Sequence, residues 1–81
     1  MAAKQGHPDS QFGLGAFYEE GLGVKKNNIV ALMWYVIAEA NGQPQSRDAK
    51  DKISVDMSIT DTRKAGELAV KCAETDYTSC E

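Results

Sequence analysis

Histidine, cysteine, proline and tryptophan are scarce in this chain of 81 residues: one His, two Cys, two Pro and one Trp. Each scarcity closes off a kind of chemistry. Structural zinc asks for four nitrogen or sulfur ligands, and His7, Cys72 and Cys80 exhaust the soft donors, so no metal site is expected. A cysteine nucleophile would need an imidazole beside it, and His7 lies at the far end of the chain from both thiols. Long apolar runs are also lacking. The longest, Ile29 to Ala38, is about half of what a helix needs to cross a bilayer and reads as a buried core helix. No basic stretch followed by an apolar run and a small-residue cleavage site opens the chain, so an export signal is either absent or removed. Basic residues are outnumbered, nine Lys+Arg against twelve Asp+Glu for a formal charge of −3. They are scattered from Lys4 to Lys71, which argues against a nucleic-acid face.

Gly13-x-Gly15 and Gly21-x-Gly23 invite a phosphate-loop reading, but neither follows a strand pattern and neither precedes Lys-Ser or Lys-Thr. Glu19 and Glu20 are neighbours on a helical pattern and point apart, as a solvated rim does and an acid/base pair does not. No catalytic constellation and no cofactor motif is left, and the chain reads as a non-enzyme. Its size allows one small domain whose stability is marginal unless something staples it.

What is present is an internal echo. The segment AAKQGHPDSQ from Ala2 aligns without gaps on AEANGQPQSR from Ala38, matching Ala2 with Ala38, Gly6 with Gly42, Pro8 with Pro44 and Ser10 with Ser46. The offset of about 36 residues is a period of helix-hairpin solenoids. On this reading residues 1–6 are the last turn of a helix belonging to a preceding repeat. A solenoid unit relies on neighbours to cover its apolar face, so the amino-terminal side is expected to be bare.

Four helices follow from the periodicity. The first is expected from Pro8 to Glu20, with Pro at its first position and Leu14, Phe17 and Tyr18 inward, Phe12 at the edge. Gly21 and Gly23 turn the chain, with Leu22 and Val24 plugging the corner. Asn27 caps a second helix, Asn28 to about Asn41, closed by Gly42. There Ala31, Trp34, Tyr35 and Ala38 form one face while Leu32, Val36 and Ile37 make the opposite side apolar too, so Trp34 and Tyr35 are core residues. A charged third helix, about Gln45 to Val55, buries Ala49, Ile53 and Val55 and is the outer member of its pair. Ser58 and Asp61 have capping-box spacing and open a fourth helix to about Ala73 with Ala65, Leu68, Ala69 and Cys72 inward.

The string Leu14-Gly15-x-x-Tyr18-x-x-Gly21-x-Gly23-Val24, a cap at Asn27, then Ala31-x-x-Trp34-Tyr35-x-x-Ala38 and a closing Gly42 resembles the Sel-one-like repeat, a cousin of the tetratricopeptide repeat. The resemblance implies an all-α fold of antiparallel helix hairpins in an alpha-alpha superhelix. Residues 7–41 would be one complete repeat, 42–73 a degenerate repeat with a capping helix similar to the terminal unit of bacterial members, and 74–81 a polar tail. Asn27 replaces the commoner Asp, Glu39 stands where a second Ala is usual, and Gly13 falls where relatives are often polar.

The implied function is an adaptor or scaffold, the carboxy-terminal part of a longer array that holds a protein or peptide segment. By position, the groove would be lined by Asp9, Phe12, Ala16, Glu19 and Glu20, mildly acidic in character. Cys72 and Cys80 are spaced as in the cysteine-rich members, where such pairs are bonded, and an even count in a small domain fits an oxidising compartment. With the bond the chain is expected to be periplasmic or secreted, and without it cytoplasmic. Two other readings stay open: self-association through the bare amino-terminal face, and a thiol-redox role for Cys72 and Cys80.

Overall fold

A computed structural model describes residues 7–75. The expected end of a preceding repeat, residues 1–6, and Cys80 lie outside these. The fold is all-α: α1 (Pro8–Glu20), α2 (Asn28–Ala40), α3 (Gln45–Ser54) and α4 (Ile59–Glu74), with no strand among the described residues. α4 continues through Glu74, which had been expected to open the tail.

Local chemistry sets the ends of the elements. Pro8 stands at the first position of α1, where its missing N–H costs nothing. Gly21, at φ 71°, ends that helix, and the Leu22 N–H donates to the Phe17 carbonyl at 2.9 Å, a Schellman-type closure that satisfies an otherwise orphaned acceptor. Asn27 is extended, and its side-chain oxygen accepts from the Ile29 and Val30 amides at 3.1 and 3.2 Å, a cap of about 1 kcal/mol. The far end of α2 repeats the closure: Gly42, at φ 97°, donates to Glu39, and Gln43 donates to the Ala38 carbonyl at 2.9 Å. Gln43 then caps α3. Its Oε1 accepts from the Ser46 amide at 2.9 Å while Pro44 already has helical backbone, φ −70° and ψ −30°. Ser58 caps α4 by accepting from the Asp61 amide at 3.0 Å.

α1 and α2 form an antiparallel hairpin. The Asn27 N–H donates to the Tyr18 carbonyl near the turn, Gly15 meets Ala31 and Tyr35 halfway, and Gln11 accepts from Asn41 at the open end. α2 is the hub. It packs on α1, α3 and α4, while α3 and α4, consecutive in the chain, make almost no contact with each other. One apolar cluster joins Leu14, Met33, Trp34, Ile37, Ala69 and Cys72 across α1, α2 and α4. A second gathers Ala31, Leu32, Tyr35, Ile53 and Ala65 across α2, α3 and α4. A helix apolar on every side can be satisfied only in this central position.

Three apolar residues expected inside are outside. Phe17 is 46% exposed because the stripe of α1 that meets α2 is Gln11, Leu14 and Gly15 with the half-buried Tyr18, and Phe17 falls beyond its edge. Leu22 is 53% exposed, since backbone hydrogen bonds and glycine geometry close the corner, while Val24, the other residue expected there, is half-buried. Val55 is 81% exposed: it stands past the last turn of α3, where α2 no longer covers it. The expectation that α3 would be the outer half of a packed α3–α4 pair is likewise replaced by two helices seated separately on α2.

Candidate functional site

The positions of the proposed repeat motif do structural work. Gly15 is buried, and a β-carbon placed there would lie 2.7 Å from the Tyr35 ring and 3.1 Å from the Ala31 carbonyl oxygen. Ala31, Trp34 and Ala38 are fully buried, Leu14 nearly so, and Tyr18 packs half-buried against both clusters. Gly21 and Gly23 have φ of 71° and 73°, a left-handed backbone that a β-carbon disfavours.

Asp9, Ala16 and Glu20 lie on the face of α1 turned away from α2, with Phe12 and Glu19 on the flank that borders it. Asp9 and Glu20 are exposed at its two ends, and at Gly13, on the same face, nothing lies within 4 Å of where a β-carbon would be. Phe12 and Glu19 on its flank are engaged with Tyr35. The Phe12 and Tyr35 rings are 5.6 Å apart at 41°, and the Tyr35 hydroxyl donates to Glu19 Oε1 at 2.6 Å. Asp9 accepts a long hydrogen bond, 3.4 Å, from Gln43 Nε2. The face is thus partly open to solvent and partly support for the hairpin.

Sequence reasoning missed the polar seam at the base of this face. Gln11 and Ser46 are fully buried and Gln43 nearly so, Gln11 accepting from Asn41 Nδ2 at 2.9 Å and Ser46 Oγ donating to Gln43 Oε1 at 3.2 Å. The signal for Gln11 was its place, three and four residues before Leu14 and Gly15, inside the buried stripe. Lys50 pairs with Glu39 at 2.6 Å, a half-exposed bridge between α3 and α2 of modest worth.

Tyr35 makes this region sensitive to alkali. Burial first, then the hydrogen bond to the Glu19 carboxylate, then the charges of Glu19 and Glu20 all disfavour the phenolate and raise its pKa far above the ordinary 10.0. The folded chain keeps the proton that the unfolded chain releases near pH 10, so this stabilisation is complete below about pH 10 and is lost above it. Melting temperature should therefore fall steeply as pH climbs past about 10, and less steeply in Tyr35→Phe. Tyrosinate absorbance from all three tyrosines at pH values where helical circular dichroism is intact would contradict this account.

Two concavities flank the helices. An open hollow of about 630 Å³ beside the turn is lined by Tyr18, Val24, Lys25, Lys26, Asn27 and Val30. A smaller groove of about 240 Å³ between α2 and α4 is lined mostly by Val36, Ile37, Ala40, Gly66, Ala69 and Val70. Among the described residues no three His, Cys, Asp or Glu side chains are grouped to hold a metal ion, and no helix is long and apolar enough to cross a membrane. Comparison with models of known protein families, with curated proteins and with solved structures yields no match.

Proposed function

We propose that the chain is a Sel-one-like repeat unit that binds a segment of another protein on α1, an adaptor or scaffold module and not an enzyme. The observation that carries this is the division of α1 into two faces. One is consumed by α2, and the other presents Asp9 and Glu20 with an open saddle at Gly13 between them. The glycine turns, the Gly15 contact and the buried Ala31, Trp34 and Ala38 support the family reading, because each motif residue has a job that its type alone can do well.

Selection of peptides from a displayed library on the 81-residue chain tests the role. Gly13→Gln fills the saddle from a β-carbon position with nothing within 4 Å, so it should abolish enrichment while leaving the melting temperature at or above wild type. Equal enrichment on the filled variant would remove the assignment.

A disulfide between Cys72 and Cys80 belongs to the same proposal and places the chain in the periplasm or outside the cell. Complete burial of Cys72 against Met33 and Trp34 suits a structural bond and opposes a redox role, since a reactive thiol needs access. Intact mass with and without reductant reads it directly. Self-association has one observation in its favour, the apolar α2–α4 groove with Val70 58% exposed on its rim. It requires a solution mass near twice 8.8 kDa by light scattering.

A further inference from the structure

We infer that α4 pairs with the α4 of a second copy of this chain, antiparallel about a two-fold axis beside Gly66. This rests on the self-association reading, names its surface and is independent of the reading of α1. The buried stripe of α4 is Ala65, Ala69 and Cys72, on the side packed against α2. A second apolar face of the same helix is left outside. Ile59 is 80% exposed and Val70 58%, and with Arg63 and Gly66 between them they follow at intervals of four, three and four residues, the spacing of a helix seam. Val70 stands on the rim of the apolar α2–α4 groove of about 240 Å³, which widens the seam toward Ala40. Gly66 is the sharpest sign. A helix interior disfavours glycine, and Gly15 shows what offsets that in this chain, the close fit of α2 against it. At Gly66 nothing lies within 4 Å of where a β-carbon would be, so no helix of its own chain uses the close approach it allows.

The surface is complementary to itself. Reversal about an axis at Gly66 sets each residue against the one equally far beyond Gly66 in the partner helix. The two glycines then meet, and the backbones can come close. Ile59, seven residues before the axis, faces the partner's Ala73, seven after it, and Val70 enters the space between the partner's Ile59 and Gly66. Both exposed apolar side chains are thereby covered, and each contact occurs twice. Arg63 faces the partner's Ala69, about 3 Å along the axis from the partner's Glu67. Arg63 and Glu67 are exposed, and neither forms an ion pair with another described residue. They share a flank of the seam, and a two-fold axis perpendicular to the helices keeps each flank on its own side, so opposite charges meet at both ends of the contact. Parallel pairing would instead set Arg63 against Arg63 and Glu67 against Glu67, so charge selects the antiparallel arrangement. A segment of another protein would have to supply this pattern of shape and charge, whereas a second copy already carries it. α1 contributes no residue to the groove.

Sedimentation equilibrium of the 81-residue chain tests this. The contact is small and belongs to the weak class, so the average mass should climb from 8.8 kDa toward twice that value between about 10 μM and 1 mM. Val70→Gln should hold the mass of one chain over the same range with helical circular dichroism unchanged, since the side chain is exposed. Arg63→Glu and Glu67→Arg should each weaken pairing by about tenfold, because each sets like charges together at both ends of the contact. An equimolar mixture of these two variants should pair as wild type does, since every facing couple is then opposite in charge. That recovery reports a contact between copies, which a change confined to one chain does not produce. A chain that stays monomeric at about 1 mM overturns self-association and this surface with it, whatever else fills the groove, and leaves the α1 reading as it was. If pairing survives Val70→Gln and both charge variants, the copies meet elsewhere, as on the amino-terminal side, and the inference fails. Charge variants that weaken pairing without recovery on mixing overturn the antiparallel register.

Discussion

Trp34→Ala is expected to lower the urea midpoint of the chain sharply. Trp34 is fully buried, and it sits on the helix that packs most extensively against the other three, within the cluster that joins Leu14, Met33, Ile37, Ala69 and Cys72. Removing the indole takes away its transfer free energy and leaves a void where those side chains now meet. Truncations of this kind cost about 3 to 5 kcal/mol. A domain of this length has a total stability of about 4 to 12 kcal/mol, so the loss is a large share of the whole. Urea denaturation followed by circular dichroism is the right readout, because the substitution removes the only tryptophan. A variant with wild-type midpoint would show that the helices do not pack around this residue, and the architecture with α2 at its centre would have to be abandoned.

Gly15→Ala is expected to destabilise by about 1 to 3 kcal/mol, the cost of overpacking a filled site. Propensity alone says the reverse, since alanine is worth up to about 1 kcal/mol over glycine inside a helix. Position decides the sign. The added carbon would lie 2.7 Å from two atoms of the Tyr35 ring and 3.1 Å from the Ala31 carbonyl oxygen. The ring cannot swing away freely, because Phe12 packs on it and Glu19 holds its hydroxyl, and the carbonyl belongs to the backbone of α2. The same change two residues earlier is the control. At Gly13 nothing lies within 4 Å, so Gly13→Ala should stabilise by about 0.5 to 1 kcal/mol. Parallel urea titrations of the two variants read the difference, and a Gly15→Ala protein as stable as wild type would mean that α1 and α2 are not in this close contact.

Tyr35 connects these expectations to function. It fills the space beside Gly15, holds Glu19 by its hydroxyl and supports Phe12 with its ring, so the flank of the proposed binding face is built by a residue of the core helix. Substituting Phe12 or Glu19 would therefore disturb folding and recognition at once. Gly13, where a β-carbon would meet nothing within 4 Å, and the exposed Glu20 separate the two effects.

The elements themselves were legible in the amino-acid order because their causes are local. Pro8, the Asn27 cap, Gly21, Gly42 and the Ser58 cap each act within one turn of the chain, and the all-round apolarity of Ile29 to Ala38 could end only in burial. The acidic stripe of α1 was legible too, since helical spacing alone puts Asp9 and Glu20 on one side. What needed three dimensions was the width and direction of each contact. Gly15 lets α2 come close, and the buried arc of α1 is Gln11, Leu14 and Gly15 with Tyr18 half-buried, so that Phe17 lies outside and a glutamine inside. Only the tertiary arrangement seats α3 and α4 separately on α2 and exposes Val55. Periodicity says which side of a helix is apolar, but which neighbour covers it depends on how closely two backbones can approach, and that distance is decided by side chains far apart in the chain.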